Sequence, residues 1–148
     1  MAMTQLPRDF KEFLKLLNDL KVEYLVVGGY AVSYHGYPRP TGDIDIWIAV
    51  NAINAERMVD VLRAFGFALP NLSPQLFLDT KNMVRMGMPP VRIEILNEIS
   101  GVRFDECYAR RETPHIDGIS INVIALDDLK QNKKASGRFK DLNDLENL

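Results

Sequence analysis

Near the N-terminus the apolar positions repeat at helical spacing, and strand-like runs follow. The repeat predicts an amphipathic helix over residues 9–20. A short apolar strand, Tyr24–Val27, stops at Gly28-Gly29, and a short helix over residues 30–37 is expected to come next. The chain therefore opens with a helix–strand–helix unit that has two glycines at its second junction.

Two later segments alternate apolar and polar residues, which is typical of half-buried strands. The first covers residues 43–50, with isoleucines on one face and Asp43, Asp45 and Trp47 on the other. The second covers residues 91–96, where Glu94 stands between two isoleucines. Both segments predict strands that place acids on the face opposite the isoleucines.

The remaining pattern completes an α+β fold. The further expected elements are a helix over 54–65 ending at Gly66, a loop-rich stretch over 67–90, a helix over 104–111, a hairpin over 116–125 and a charged helical tail from 126. Together they predict one domain over residues 1–148, with a small mixed β-sheet flanked by helices.

The acids on the two strands are the first candidates for chemistry. Side chains two positions apart on a strand leave the same face, so Asp43 and Asp45 lie roughly 7 Å apart at their Cα atoms. Two carboxylates this close repel unless a cation lies between them. Mg²⁺ prefers oxygen ligands and is typically held by one or two carboxylates and substrate phosphates. The pair is thus a candidate Mg²⁺–triphosphate site, and a solvated strand face is the alternative.

Glu94 is the candidate third acid. If its strand neighbours the first, three carboxylates converge and can hold two metal ions, one for the triphosphate and one for an attacking hydroxyl. The alternative is a surface acid paired with Arg92. Gly28-Gly29 could let the backbone approach phosphate oxygens at a helix start, or could simply form a tight turn.

These motifs together resemble a known family. The run VVGGYAVSYHGYPRPTGDIDI, with the later VRIEIL, is similar to the signature of the polymerase-β-like nucleotidyltransferase superfamily. The nearest resemblance is to minimal bacterial nucleotidyltransferases, some of which are toxins of toxin–antitoxin pairs. It extends from about residue 20 through the tail NKKASGRFKDLNDLENL.

The resemblance implies a function and a set of site residues. Asp43, Asp45 and Glu94 would be the catalytic and metal-binding acids, with Mg²⁺ as the cofactor and Mn²⁺ as an alternative. The nucleotide would be held by Gly28, Gly29, Lys133 and Arg138. Glu94 departs from the family's more common Asp, and Gly29 replaces a frequent Ser.

The implied reaction moves a nucleoside monophosphate from a nucleoside triphosphate (NTP) to a hydroxyl and releases pyrophosphate. The acceptor, which could be RNA, protein or a small molecule, stays open, as does an antitoxin or a second copy of the chain as partner. A non-catalytic nucleotide- or partner-binding module on the same fold is the main alternative. A sugar-nucleotide glycosyltransferase with a D-x-D motif is disfavoured by the chain length and by Gly28-Gly29.

Several other residues are interpreted as structural. Trp47 shares the face of the aspartates, and core packing under a helix is expected rather than base stacking. The basic run in the tail, Lys130 to Lys140, could meet phosphate or form a solvated helix face, and the following Asp141 and Asp144 are expected at the surface. Neither His35 nor His115 has the spacing of a metal ligand, and Cys107 shows no nucleophile motif.

Composition limits the remaining choices. The 148 residues are 47% apolar and 26% charged, which is ordinary for a globular protein. With 18 basic and 20 acidic residues the net charge is −2, so any surface that binds a polyanion must be local. No apolar run reaches the roughly 20 residues that span a bilayer. A single cysteine and no apolar leader favour a reducing, cytoplasmic setting.

Overall fold

The computed structural model describes residues 5–67, 69–79 and 83–148. Helices in these ranges are α1 (Arg8–Asp19), α2 (Gly28–Tyr34), α3 (Ala52–Phe65), α4 (Gln75–Leu78), α5 (Phe104–Ala109), α6 (Leu126–Ser136) and α7 (Phe139–Glu146). The strands are β1 (Tyr24–Val27), β2 (Asp43–Ile48), β3 (Val84–Met86), β4 (Arg92–Leu96), β5 (His115–Ile116) and β6 (Ile119–Ser120). None of the helices is long and apolar enough to cross a membrane within the described ranges.

The main sheet of the described chain has the order β1-β2-β4-β3. Strand β1 runs antiparallel to β2, β2 runs parallel to β4, and β4 runs antiparallel to β3. The mixed α+β fold predicted from the alternating segments is therefore confirmed. The parallel pair at its centre joins the two acid-bearing strands.

The apolar pattern determines which side chains fill the core. The face of β2 and β4 that carries Ile44, Ile46, Ile93 and Ile95 is buried, as is the apolar stripe of α1. Burying each such side chain contributes about 1.5–3 kcal/mol relative to leaving it in water. This burial fixes the strand faces, and so it directs the acids of β2 and β4 to the opposite face.

A buried amide connects the sheet to α3. The side chain of Asn51 accepts a hydrogen bond from the Asn54 backbone N–H at 2.9 Å and caps the helix. Asn54 in turn donates from Nδ2 to the carbonyls of Ala49 (2.8 Å) and Glu23 (3.1 Å). The cap explains why α3 begins at Ala52, earlier than the expected residue 54.

The expected extent of one hairpin was wrong, and two other segments contain elements that the sequence pattern did not predict. The hairpin over 116–125 ends at Ser120, because the chain then pairs with the free edge of β1: Val26 N–H donates to the Asn122 carbonyl at 2.8 Å. The charged tail breaks into two helices at Gly137, whose φ is +67°. The stretch 67–90 contains α4 and β3 in addition to loops, and its residues 68 and 80–82 lie outside the described ranges.

Candidate metal and nucleotide site

The three acids meet where β2 and β4 run side by side. Asp45 is in register with Glu94, and Asp43 precedes it on the same face of β2. Oxygen atoms from all three carboxylates lie within 4.8 Å of one another. The sequence predicted this convergence on the condition that the two strands were neighbours, and the parallel pairing meets that condition.

Asp45 has the most unusual environment of the three. Its Oδ1 is buried and has no hydrogen-bond partner among the described residues. Burial, the facing charge of Glu94 and the charge of Asp43 raise the pKa of Asp45 to about 7, while Lys133 opposes the rise. A cation near this oxygen would remove the repulsion.

Two arginines partly compensate the other acids. Arg92 forms a bidentate pair with Asp43, from Nε to Oδ1 and from Nη2 to Oδ2, both at 2.9 Å. Arg92 Nη2 also lies 3.3 Å from Glu94 Oε1, and Arg85 Nε lies 3.2 Å from the same oxygen. The predicted alternative, a Glu94–Arg92 pair, is thus present together with the carboxylate cluster.

The donor set fits a hard divalent cation. Carboxylate oxygens from three side chains converge, and one of them, on Asp45, is buried without a partner in the described structure. Mg²⁺ and Mn²⁺ take oxygen ligands of this kind, and each ion keeps several waters or phosphate oxygens in its shell. The triad could therefore hold a metal ion.

Gly28 lies directly against this cluster. Its φ is +64°, and a Cβ at this position would collide with the carboxylate of Asp45. Helix α2 begins at Gly28, two residues earlier than the sequence suggested, and no side chain of the described residues caps its first turn. At Gly29 a Cβ would come within 2.8 Å of Thr41 Oγ1. Gly28 thus lets the backbone approach Asp45 closely, and Gly29 lets it approach Thr41.

A cavity of about 400 Å³ opens beside Asp45. Gly28 and Gly29 line one side, and Lys133 and Arg138 line another. Four of the residues expected to bind a nucleotide thus border one cavity together with one of the expected metal ligands. The cavity volume is within the range of ligand sites in proteins.

Lys133 is not on a solvated face. It is 4% exposed, and its Nζ lies 3.0 Å from Asp141 Oδ1 and 3.1 Å from Asp144 Oδ2. The expectation that Asp141 and Asp144 are surface acids was wrong, because both are buried as partners of Lys133. Their spacing of three positions puts them on one face of α7, toward α6.

Further donors complete this buried network. Arg39 makes a bidentate pair with Asp144 at 2.7 and 2.8 Å, and Ser136 Oγ donates to Asp141 at 2.7 Å. Arg138 Nε also reaches Asp141 at 2.7 Å, although the Arg138 side chain remains 75% exposed. We call the buried group formed by Lys133, Asp141, Asp144 and Arg39 the α6–α7 clamp. The sequence pattern missed Arg39, because nothing local distinguishes it from a turn residue.

Trp47 packs as expected. It is 2% exposed and makes an edge-on contact with Phe104 of α5 at 5.1 Å between ring centroids. A larger cavity of about 610 Å³ lies near Trp47 and Tyr108, at the carboxyl ends of β2 and β4. We place the candidate site in the smaller cavity, because the larger one contains none of the three converging acids.

The contacts of His35 and Cys107 agree with the structural roles expected for them. A ring nitrogen of His35 lies 2.7 Å from the Ile124 carbonyl, consistent with a structural role. Cys107 is buried, and burial raises the pKa of its thiol to about 11. A thiol in this environment stays protonated at neutral pH and is a poor nucleophile.

Comparisons with known proteins concern the family and the fold. The profile of a family described as "Nucleotidyl transferase of unknown function (DUF2204)" matches residues 7–148. Among solved structures, a candidate nucleotidyltransferase from Thermotoga maritima is similar, with a TM-score of 0.62 and 18% identity over 94% of this chain and 89% of that one. An antigenic nucleotidyltransferase-like protein from Paracoccidioides brasiliensis has a TM-score of 0.55 and 16% identity over 94% and 73% of the two chains. No curated protein gives a significant match.

Proposed function

Since the chain belongs to the nucleotidyl transferase family DUF2204, we propose that it transfers a nucleoside monophosphate from an NTP to a hydroxyl acceptor with the aid of Mg²⁺. The observation that carries this proposal is the position of the acids. Asp45, whose buried Oδ1 has no partner in the part of the chain that the structure describes, lines the cavity bordered by Gly28, Gly29 and Arg138. A metal-bound triphosphate needs carboxylates, close backbone approach and cations in one place.

The bonds that change define what each residue must do. The acceptor oxygen forms a bond to the α-phosphorus, the bond to the bridging β-phosphate oxygen breaks, and pyrophosphate leaves. Asp45 and the neighbouring acids would hold a divalent ion, which would neutralise phosphate charge and polarise the reacting phosphorus centre. Arg138 extends toward the cavity and adds positive charge for the leaving pyrophosphate. Glu94 orients the acceptor hydroxyl and takes its proton, facing Asp45 across the strand pair.

Label transfer tests the reaction directly. The full chain is incubated with each α-labelled NTP, Mg²⁺ and cell extract, and the labelled fraction is identified. Glu94→Gln should cut transfer by at least about 10²-fold, the scale of a lost acid–base or charge-stabilising group. Asp60→Asn, a change of an exposed acid on α3, is the matched control and should leave transfer intact.

Two results would contradict parts of this proposal. Transfer that is undiminished in Glu94→Gln would remove Glu94 from the reaction. NTP binding in the wild type, with no transfer in any extract, would instead favour a nucleotide-binding module on the same fold.

The rim of the cavity favours RNA among the candidate acceptors. Phe139 is 95% exposed, and it lies in the chain between Arg138 and Lys140, both exposed and both lining the cavity. Exposed aromatic rings beside cations are typical of single-stranded nucleic-acid surfaces, where each stacked base contributes about 1–3 kcal/mol. An RNA end could stack on Phe139 while its phosphates meet the two cations.

Enzyme digestion and one variant test the acceptor. The transferred label should be removed by ribonuclease and resist protease. Phe139→Ala should weaken binding of a labelled single-stranded RNA at least about fivefold, from the loss of one stacking contact. Ile53→Ala, a change of an exposed apolar residue on α3, should not weaken it. Label sensitive to protease, with equal RNA binding by both variants, would point to a protein acceptor.

A further inference from the structure

The face that carries the three acids also carries two arginines at fixed register positions. Arg92 stands beside Asp43 across the parallel pair β2–β4, and Arg85 stands beside Glu94 across the antiparallel pair β3–β4. Side chains on the same face of paired strands interact directly. The arginines are therefore built into the acid cluster by the sheet itself.

Arg92 engages the cluster unequally. Both oxygens of Asp43 accept from its guanidinium at 2.9 Å, and Glu94 Oε1 lies 3.3 Å from Nη2. Asp45 receives no such pair, and its Oδ1 lacks a partner within the described chain. The guanidinium thus occupies the position beside Asp43 that a second cation would need, and it leaves free the position beside Asp45.

The net charge of this face also favours a single metal ion. Three carboxylates and two guanidinium groups leave one net negative charge on this face. One divalent ion would bring the net charge to about +1, whereas two ions would bring it to about +3 beside a permanently charged arginine. Bidentate guanidinium–carboxylate pairs are also among the stronger charged hydrogen bonds, so an incoming ion has to compete with one.

We propose that Arg92 takes the place of one of the two metal ions that three carboxylates could otherwise hold. In the absence of nucleotide the protein then binds one divalent ion, held by Asp45 with Glu94, while Arg92 keeps Asp43 paired. This inference rests on the proposed metal-dependent function. It assigns Arg92 as a positioning residue that sets the number of ions.

Mn²⁺ binding to the full chain without nucleotide tests the assignment. Titration calorimetry gives the number of ions bound, and electron paramagnetic resonance measures the Mn²⁺ that remains free. Both should give one ion per wild-type chain. Arg92→Gln frees Asp43 and should raise the count to two. Arg92→Lys keeps the charge but loses the bidentate geometry, and it should also admit the second ion, with lower affinity than in Arg92→Gln.

Arg85→Gln is the matched control, because Arg85 contacts Glu94 but forms no pair with Asp43 among the described contacts. Its count should stay at one. Circular dichroism and thermal melting establish whether each variant is folded. If Arg92→Gln does not fold, Arg92→Lys is the variant that tests the assignment.

The outcomes separate the two proposals. Two ions on the wild type, or a count that stays at one in every folded Arg92 variant, would overturn the role of Arg92 and leave the proposed function standing. No Mn²⁺ on the wild type, with or without an NTP, would overturn both.

Discussion

Among single residues, Asp45 departs furthest from the behaviour of an exposed carboxylate. It is held against Gly28, faces Glu94 and has a buried oxygen without a partner among the described residues. Unpaired buried charge is costly to a folded protein, and such costs concentrate at functional sites. The free energy of unfolding of the metal-free protein should therefore depend on whether Asp45 is charged.

In the metal-free protein, Asp45→Asn should become more stabilising as the pH rises. The pKa of Asp45 is raised from 3.8 to about 7, so the folded state favours the protonated form. Wild-type stability is then full below about pH 4, falls as the pH rises through about 7 and is level above that. Urea unfolding in EDTA should show an Asn advantage of a few kcal/mol at pH 8, and almost none at pH 4. An advantage independent of pH would contradict the raised pKa.

Gly28→Ala should weaken the metal site more than an alanine substitution at a glycine far from the acids does. The alanine Cβ would collide with the Asp45 carboxylate, and an L residue would have to adopt φ +64°. Gly66→Ala, at φ +87° with no atom of the described residues within 4 Å of the added Cβ, carries only the backbone cost of about 1–2 kcal/mol. Mn²⁺ affinity should fall at least about tenfold in Gly28→Ala, a loss near 1.4 kcal/mol, and stay unchanged in Gly66→Ala. Equal affinities would mean that Gly28 does not control the position of Asp45.

At the scale of elements, the α6–α7 clamp holds two short helices beside the cavity. Helix α6 ends at Gly137, and the two acids of α7 turn back onto Lys133. Arg39 extends the clamp to the segment that leads into β2. The position of α6 relative to the sheet, and with it the width of the cavity, thus depends on buried ion pairs rather than on apolar packing alone.

Removing the clamp lysine should destabilise the whole fold. Lys133→Met leaves Asp141 and Asp144 buried without their shared partner, and breaking a buried pair in this way costs about 3–5 kcal/mol. Lys134→Met, a change of an exposed neighbour, should stay within about 0.5 kcal/mol. Denaturant unfolding of both variants measures the difference. Similar stabilities would show that the clamp contributes little.

The clamp should also make the protein sensitive to acid. Burial alone would raise the pKa of Asp144, but hydrogen bonds and charge from Arg39 and Lys133 outweigh it and hold that pKa below its usual value of 3.8. A depressed pKa contributes stability above about pH 4 that is lost as the pH falls further. The advantage of the wild type over Asp144→Asn should therefore be largest at pH 5 and shrink toward pH 2. A constant advantage would mean that the carboxylate charge is not what stabilises the clamp.

In the molecule as a whole, the candidate site joins parts of the chain that are far apart in sequence. Arg39 and Asp144 are separated by 105 positions and form an ion pair. The cavity that Arg39 helps to line also takes residues from the β1–α2 junction, β2 and α6. The net charge of −2 coexists with a cluster of cations at this one place. Ligand binding should therefore stabilise the entire fold instead of one loop.

Mn²⁺ together with a non-hydrolysable NTP analogue should raise the melting temperature by several degrees. A ligand at 100 times its dissociation constant stabilises the folded state by about 2.7 kcal/mol, and each kcal/mol shifts the midpoint by about 2–4 °C at this size. Asp45→Asn should abolish most of the shift, and the analogue with EDTA should produce little. A full shift in Asp45→Asn would exclude the acid cluster as the metal and nucleotide site.

The sequence by itself determined which face of each strand is buried, and therefore which face carries the acids. Strict alternation around Ile44, Ile46, Ile93 and Ile95 allows only one face of each strand to be buried, and so it directs the acids to the other face. The glycine pair at the start of α2 and the separate motifs of the family resemblance were also readable locally, because each motif consists of residues close together in the chain.

The tertiary structure decided which charges meet. The parallel register of β2 and β4 placed Arg92 against Asp43 and Glu94 against Asp45, and local sequence does not specify that register. The same holds for Lys133, which looks like one cation in an exposed run until α7 folds back and surrounds it with Asp141 and Asp144. Charged side chains carry no periodic signal of their partners, because ion pairs form across whichever elements the apolar core brings together.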